Sequence, residues 1–225
     1  MLETDLRKFS FNKLKSGEFR HVLLLLYWPV FGLLFTFAER FYNVDSYYSM
    51  HCALDDMIPF CEWFLIPYLF WFVYLIGTVV YTFFYDVFAF RRLMWFVILT
   101  YSVTMLIYLL FPTCQDLRPT EFDHDNALTR FTAWFYTFDT NTNVCPSIHV
   151  LGSVAALIGL VDSKHLQKLW LKLVFAFLCV LICISTMFMK QHSALDVMAA
   201  IPLCLIAYPI TCKIVPREKI MAAQT

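Results

Sequence analysis

Between Trp63 and Tyr85 the chain runs for 23 residues without one charged side chain. A helix over that run has no polar face to turn to water. A bilayer core takes about 20 residues of helix, so this stretch belongs in a membrane or at the heart of a large bundle. Composition excludes the bundle: the 225 residues are 60% hydrophobic and 15% charged, too few polar groups to clothe a soluble exterior. Five more apolar runs fall at 21–39, 93–112, 146–161, 168–189 and 193–215. The expected fold is an all-α integral membrane protein of six transmembrane helices, one domain over 1–225, with a polar tail at 1–20. The run at 146–161 is short and must borrow from its flanks or slant. The first run lacks a small-residue cleavage site before Arg40 and reads as a retained span.

The charges balance, 17 basic against 17 acidic, but they are sorted. The N-terminal tail, the turns around Arg91–Arg92 and Lys164–Lys172, and the C-terminal segment hold 13 basic and 6 acidic residues. The alternate connections hold 4 basic and 11 acidic. The positive-inside rule then puts both termini in the cytoplasm and the connections 40–62, 113–145 and 190–192 outside. With no basic tract, a nucleic-acid partner is excluded. Cys52, Cys61, Cys114 and Cys145 fall outside, where two disulfides are one option whose pairing the spacing leaves open. No Cys-x-x-Cys pair signals zinc. In the long outer loop 113–145, Phe131, Trp134, Phe135 and Phe138 recur at helical spacing behind Asp125 or Asn126 as cap. That predicts an aromatic helix, lying in the interface, packed as a lid, or both.

Three ionisable residues stand at the outer ends of spans. His149 follows Cys145-Pro-Ser-Ile, where Pro146 suits the opening of a helix. His192 and Asp196 are one helical turn apart at the start of the last run. Singly, each reads as an interfacial histidine or a helix-surface pair. Together they converge at one depth from two spans. No Gly-x-Ser elbow accompanies Ser147, and no His-Glu-x-x-His marks a metal site, so neither metal nor cofactor is expected. The chemistry that fits is an imidazole nucleophile on phosphorus: a carboxylate fixes its tautomer, a second histidine handles the leaving-group proton, and cations take the phosphate oxygens. Arg118 and Lys190 are two of the four outer basic residues, and the helix start around Ser147–His149 offers free N–H groups.

Arg118-Pro119, Pro146-Ser-Ile-His149 and Ser185-Thr-Met-Phe-Met-Lys-Gln-His192-Ser-Ala-Leu-Asp196 resemble the three motifs of the type 2 phosphatidic acid phosphatase superfamily: Lys-x6-Arg-Pro, Pro-Ser-Gly-His and Ser-Arg-x5-His-x3-Asp. The likeness covers about residues 111–200, in the same order, and the spacing from Ser185 through His192 to Asp196 matches. It implies that His192 is the nucleophile, Asp196 orients it, and His149 is the general acid and then base. It further implies that Arg118, Ser147 and Lys190 hold the phosphate. Phe111, Ile148 and Thr186 replace the motif Lys, Gly and Arg, leaving two cations missing, one of which Lys190 replaces from a turn beyond Thr186. The expectation is a metal-independent lipid phosphatase of the plasma membrane, drawing a lipid phosphate from the outer leaflet. Lys-Gln-His before Asp also resembles the inositol phosphorylceramide synthase branch, which implies the alternative of transfer to an alcohol. A transporter or scaffold that keeps the fold is the non-enzyme alternative, against which stands the lack of mid-membrane charge.

Overall fold

The computed structural model describes residues 2–16 and 19–217; the charges on Glu18, Glu218 and Lys219 lie outside the described residues. A 3₁₀ turn, Leu6–Lys8, and α1 (Phe11–Ser16) lead to a 3₁₀ segment, Arg20–Leu26, that continues as α2 (Tyr27–Arg40). The first connection holds strand β1 (Tyr48–Ser49), α3 (Ala53–Met57) and a 3₁₀ turn, Glu62–Phe64, opening α4 (Leu65–Tyr85). Then come α5 (Val87–Leu110), β2 (Thr113–Cys114), α6 (Ala127–Phe138), α7 (Ile148–Asp162), α8 (Leu169–Phe188) and α9 (Ala194–Ile214). The two short strands pair in parallel, Tyr48 with Thr113 and Ser49 with Cys114, and tie the first connection to the second.

Among the described residues, five helical stretches are long and apolar enough to cross a membrane: Arg20–Arg40, Glu62–Tyr85, Val87–Leu110, Leu169–Phe188 and Ala194–Ile214. The sixth apolar helix, Ile148–Asp162, is shorter. Its 15 residues rise about 22 Å at 1.5 Å each. Large apolar side chains stay exposed along α4 (Ile66, Val73, Ile76, Val80), α8 (Leu173, Phe177, Val180) and α9 (Ile201, Leu205). Water does not tolerate so continuous an apolar exterior; this is a membrane-embedded protein.

The third apolar run begins earlier than its hydropathy suggests. Arg91 and Arg92, expected in a turn, lie within α5, and a single residue, Asp86, joins α4 to α5. Arg92 is tolerated there because Nη1 pairs with Asp162 Oδ2 at 2.8 Å and Nε donates to the Val215 carbonyl. Asp86 ends one helix and starts the next: its amide donates to Thr82 O, and its Oδ1 accepts from Ala89 N. Its Oδ2 accepts from Lys164 N. The α4–α5 turn, the α7–α8 turn and the end of α9 are thereby held at one end of the molecule, opposite the ends that carry His149 and His192.

α7 is the hub, packed on α4, α5, α8 and α9. Its small residues allow this. A Cβ added at Gly152 would meet Tyr101 Oη at 2.6 Å and the Trp71 ring at 2.9 Å; one at Gly159 would meet Leu93 at 2.9 Å. Ala155 and Ala156 are fully buried beside them. Thr78 and Thr82 on α4 and Thr100 on α5 return their buried hydroxyls to carbonyls one turn back, so these three cost no unsatisfied donor.

Candidate active site

The second histidine reaches the site on a tightly specified turn between α8 and α9. Lys190 has φ +50°, its amide donates to Met187 O, and Gln191 N donates to Thr186 O. This is the paired-bond closure of a helix on a left-handed residue, a position where glycine is usual. His192 N also donates to Thr186 O, so Thr186, standing where the resembled motif has Arg, anchors the turn through its carbonyl. Ser193 then caps α9: its Oγ accepts from Leu195 N, while Asp196 Oδ2 takes the Ser193 amide at 2.9 Å. That reciprocal cap fixes Asp196 before it does anything else.

Asp196 Oδ2 also faces His192 Nδ1 at 3.2 Å, and His192 Nε2 faces His149 Nδ1 at 3.3 Å. Asp196 is fully buried, His192 and His149 nearly so. Because a carboxylate accepts, His192 Nδ1 carries the proton in that contact and Nε2 presents its lone pair; His149 Nδ1–H then donates to it. His149 is held by rings of α4, Tyr68 at 4.6 Å and Trp71 at 4.5 Å between centroids. The segment that delivers it is bonded twice from α5: Tyr108 Oη donates to Pro146 O, and Tyr101 Oη to Ile148 O. The Cys145–Pro146 peptide is cis.

The three catalytic candidates are brought together, and Ser147 lies beside them with a different task in view. It is the N-cap of α7, accepting from Val150 N at 3.4 Å, and its amide donates to Asp196 O. Arg118 and Lys190 do not line the pocket. Arg118 gives Nη1 to Tyr136 O and Nη2 to Asp139 O, Thr140 O and Gln191 Oε1. Burial pulls its guanidinium pKa down, against the opposing pull of Asp139. Lys190 Nζ donates to Asp55 O at 2.8 Å, and burial lowers its ammonium pKa despite Asp55 and Asp56.

The pocket opens to solvent and spans about 340 Å³, part of it open solvent. His149 and His192 line it together with Asp139, Thr140, Thr142, Asn143 and Gln191. Glu39, at the end of α2, accepts from Thr140, Thr142 and Asn143 and so fixes that part of the polar lining. Asp139, the cap residue after α6, takes Tyr68 Oη at 2.8 Å and Gln191 Nε2 at 3.1 Å on Oδ2. Burial raises its carboxyl pKa, only partly offset by Tyr68, His192 and Arg118. α6 is capped by Asn126 as expected, with Leu128 N and Thr129 N on its side-chain oxygen. It packs inward through Thr129, Thr132 and Phe135 while Trp134 and Phe138 stay exposed.

Sequence reasoning missed Asp139, Gln191, Glu39 and Asp55. Asp55 is 2% exposed and accepts from Ser193 Oγ at 2.5 Å, Ala194 N at 2.7 Å and Cys52 N at 2.9 Å. A carboxylate in an acidic outer loop gives no sign that it caps a helix 138 residues away. Gln191 sits inside the third motif and was passed over for the ionisable residues flanking it. All eight cysteines are free thiols. Burial and the neighbouring Asp196 push the Cys145 thiol up to about 12, so it stays protonated. Among the described residues no three His, Cys, Asp or Glu side chains form a metal-binding group. Searches against family models, curated proteins and solved structures return no match.

Proposed function

We propose that the chain is a membrane lipid phosphatase that cleaves a lipid phosphate or pyrophosphate through a phosphohistidine, without a metal. In this reading six helices cross the plasma membrane, both termini are cytoplasmic, and the pocket opens at the outer face. The observation that carries it is the line Asp196–His192–His149 at the wall of a polar pocket. A carboxylate on Nδ1 leaves Nε2 to attack, and a second imidazole 3.3 Å away is a candidate to pass a proton to the leaving oxygen.

The phosphoryl group enters between the two rings, replacing the His149–His192 contact. His192 Nε2 bonds to phosphorus as the ester P–O bond breaks, and protonated His149 gives its Nδ1 proton to the departing lipid oxygen. In the second step neutral His149 takes a proton from water, the water oxygen bonds to phosphorus, and the N–P bond breaks. Inorganic phosphate leaves with His192 restored. Ser147 supports the reading by starting α7 at the site, its Oγ on Val150 N, because a helix N-terminus favours an anion. Arg118, in no ion pair among the described residues, adds positive charge one residue behind the wall through Gln191. Lys190 acts through the turn that aims His192.

A second reading, transfer of the phosphoryl group to an alcohol, is favoured by the Thr140, Thr142, Asn143 and Gln191 side of the pocket, whose hydroxyls and amides suit a hydroxylated acceptor. One assay separates them. Purified protein with a panel of lipid phosphates in EDTA should release phosphate, and vanadate should block it. New phosphorylated alcohol without free phosphate selects the transferase. Activity that survives His192→Ala, or that requires added divalent metal, removes the phosphohistidine mechanism.

A further inference from the structure

The pocket holds a carboxylate for which the proposed chemistry has no use. Asp139 lines the same space as His149 and His192, so a phosphoryl group entering that space meets it as well as the nucleophile. Its Oδ2 is occupied by Tyr68 Oη and Gln191 Nε2, whereas Oδ1 accepts no hydrogen bond among the described residues. Among the described residues no cation pairs with it: the guanidinium of Arg118 is spent on backbone carbonyls, one of them Asp139's own, and on Gln191. The other charged or titratable groups around it are His192 on the α8–α9 turn, His149 on α7, Tyr68 on α4 and Tyr136 on α6. Asp196 stands behind His192, and Glu39 on α2 is held beneath Thr140 and Asn143. Two of these are carboxylates, so an arriving phosphate adds negative charge to an already acidic wall.

We propose that Asp139 determines how this pocket accepts an oxyanion: it takes up one proton from solvent as the phosphoryl group binds and donates it from Oδ1 to a phosphoryl oxygen. The inference rests on the phosphatase reading and deepens it. No covalent bond changes at Asp139; one proton passes from water to the carboxylate on binding and returns when phosphate leaves. A buried carboxylate facing a second anion ionises with difficulty, and a protonated carboxyl supplies the donor that the missing motif cations do not. Burial already raises the Asp139 pKa before any anion arrives. The polar wall is thereby selective, favouring phosphoryl oxygens when Asp139 is protonated and losing them as it ionises.

The test uses detergent-solubilised full-length protein and tungstate, an oxyanion that remains a dianion over the neutral range. Calorimetry in two buffers of different ionisation heat counts the protons taken up per tungstate bound, over a pH series. The histidines are present in both wild type and Asp139→Asn, so the difference reads what the carboxylate adds. The expected result is an uptake approaching one proton in wild type beyond that in Asp139→Asn. Affinity of the wild type should fall by up to about tenfold per pH unit relative to the variant as the carboxyl ionises. Tyr68→Phe, which removes a donor that favours the ionised form, should move that fall to higher pH. Equal proton counts in wild type and Asp139→Asn overturn the inference alone. So does a wild-type affinity that stays flat with pH relative to Asp139→Asn, which would leave the carboxylate ionised throughout and assign it to a cationic headgroup instead. Failure of wild type and both variants to bind tungstate overturns the phosphatase reading and this inference with it.

Discussion

Asp55→Ala removes a side chain that touches neither histidine yet holds the start of the helix that follows His192 and carries Asp196. Asp55 accepts three hydrogen bonds, two of them from the start of α9: Ser193 Oγ at 2.5 Å and Ala194 N at 2.7 Å, with Cys52 N at 2.9 Å on the other side. A buried donor left without a partner costs about 1–3 kcal/mol. The Cys52 amide belongs to a half-buried segment that water reaches, so the two α9 donors dominate and the expected loss is about 3 kcal/mol. For a chain of this size that lowers the apparent Tm by about 6–12 °C. Tryptophan fluorescence during heating of the solubilised protein reads it directly. Asp55→Asn, which keeps an acceptor, should lose roughly half as much. The effect also has a pH sign. Burial would raise the Asp55 pKa, but the bonds from Ser193, Ala194 and Cys52 outweigh it and hold the carboxyl below its ordinary value. The stabilisation is therefore complete above the ordinary carboxylate pKa and lost as pH falls through the lower folded value. The gap between wild type and Asp55→Ala should close in acid. A gap that stays constant there, or an Asp55→Ala Tm within about 2 °C of wild type, refutes the reasoning.

Asp196→Asn should keep the cap on Ser193 N but lose the tautomer control of His192; a phosphate-release assay should show kcat down by about 10³–10⁴-fold with KM little changed. An unaltered kcat would mean that the carboxylate only caps α9. Gly152→Ala places a methyl 2.6 Å from Tyr101 Oη and should cost about 1–3 kcal/mol by overpacking. Gly32→Ala, with nothing within 4 Å, is its control in the same thermal scan. Lys190→Ala should impair turnover far more than Arg130→Ala, whose side chain sits in an exposed pair with Asp125. If Lys190→Gly, which suits the φ of +50°, retains full turnover, the ammonium has no role beyond the turn.

Local chemistry made part of this protein legible from its residues. An uncharged run has one physical outlet, so the apolar helices were placed within a few residues, α6 and its Asn126 cap included. The spacing of His192 and Asp196 set them on one helical face, and His149 fell at the start of a second helix. Where a long-range partner rewrites the meaning of a residue, the same reading failed. Arg92 looked like a turn residue because its partner Asp162 lies 70 positions away. Arg118 and Lys190 looked like free cations, but folding turns their donors to the carbonyls of Tyr136, Asp139, Thr140 and Asp55.

The sequence by itself determined the helices and the convergence of two histidines and a carboxylate, because hydropathy and helical period act over one or two turns. Only the tertiary structure decided which charges meet the pocket. Desolvation and hydrogen-bond pairing are settled by neighbours far along the chain, and they withdrew the expected cations and placed Asp139 in the pocket with His192 instead.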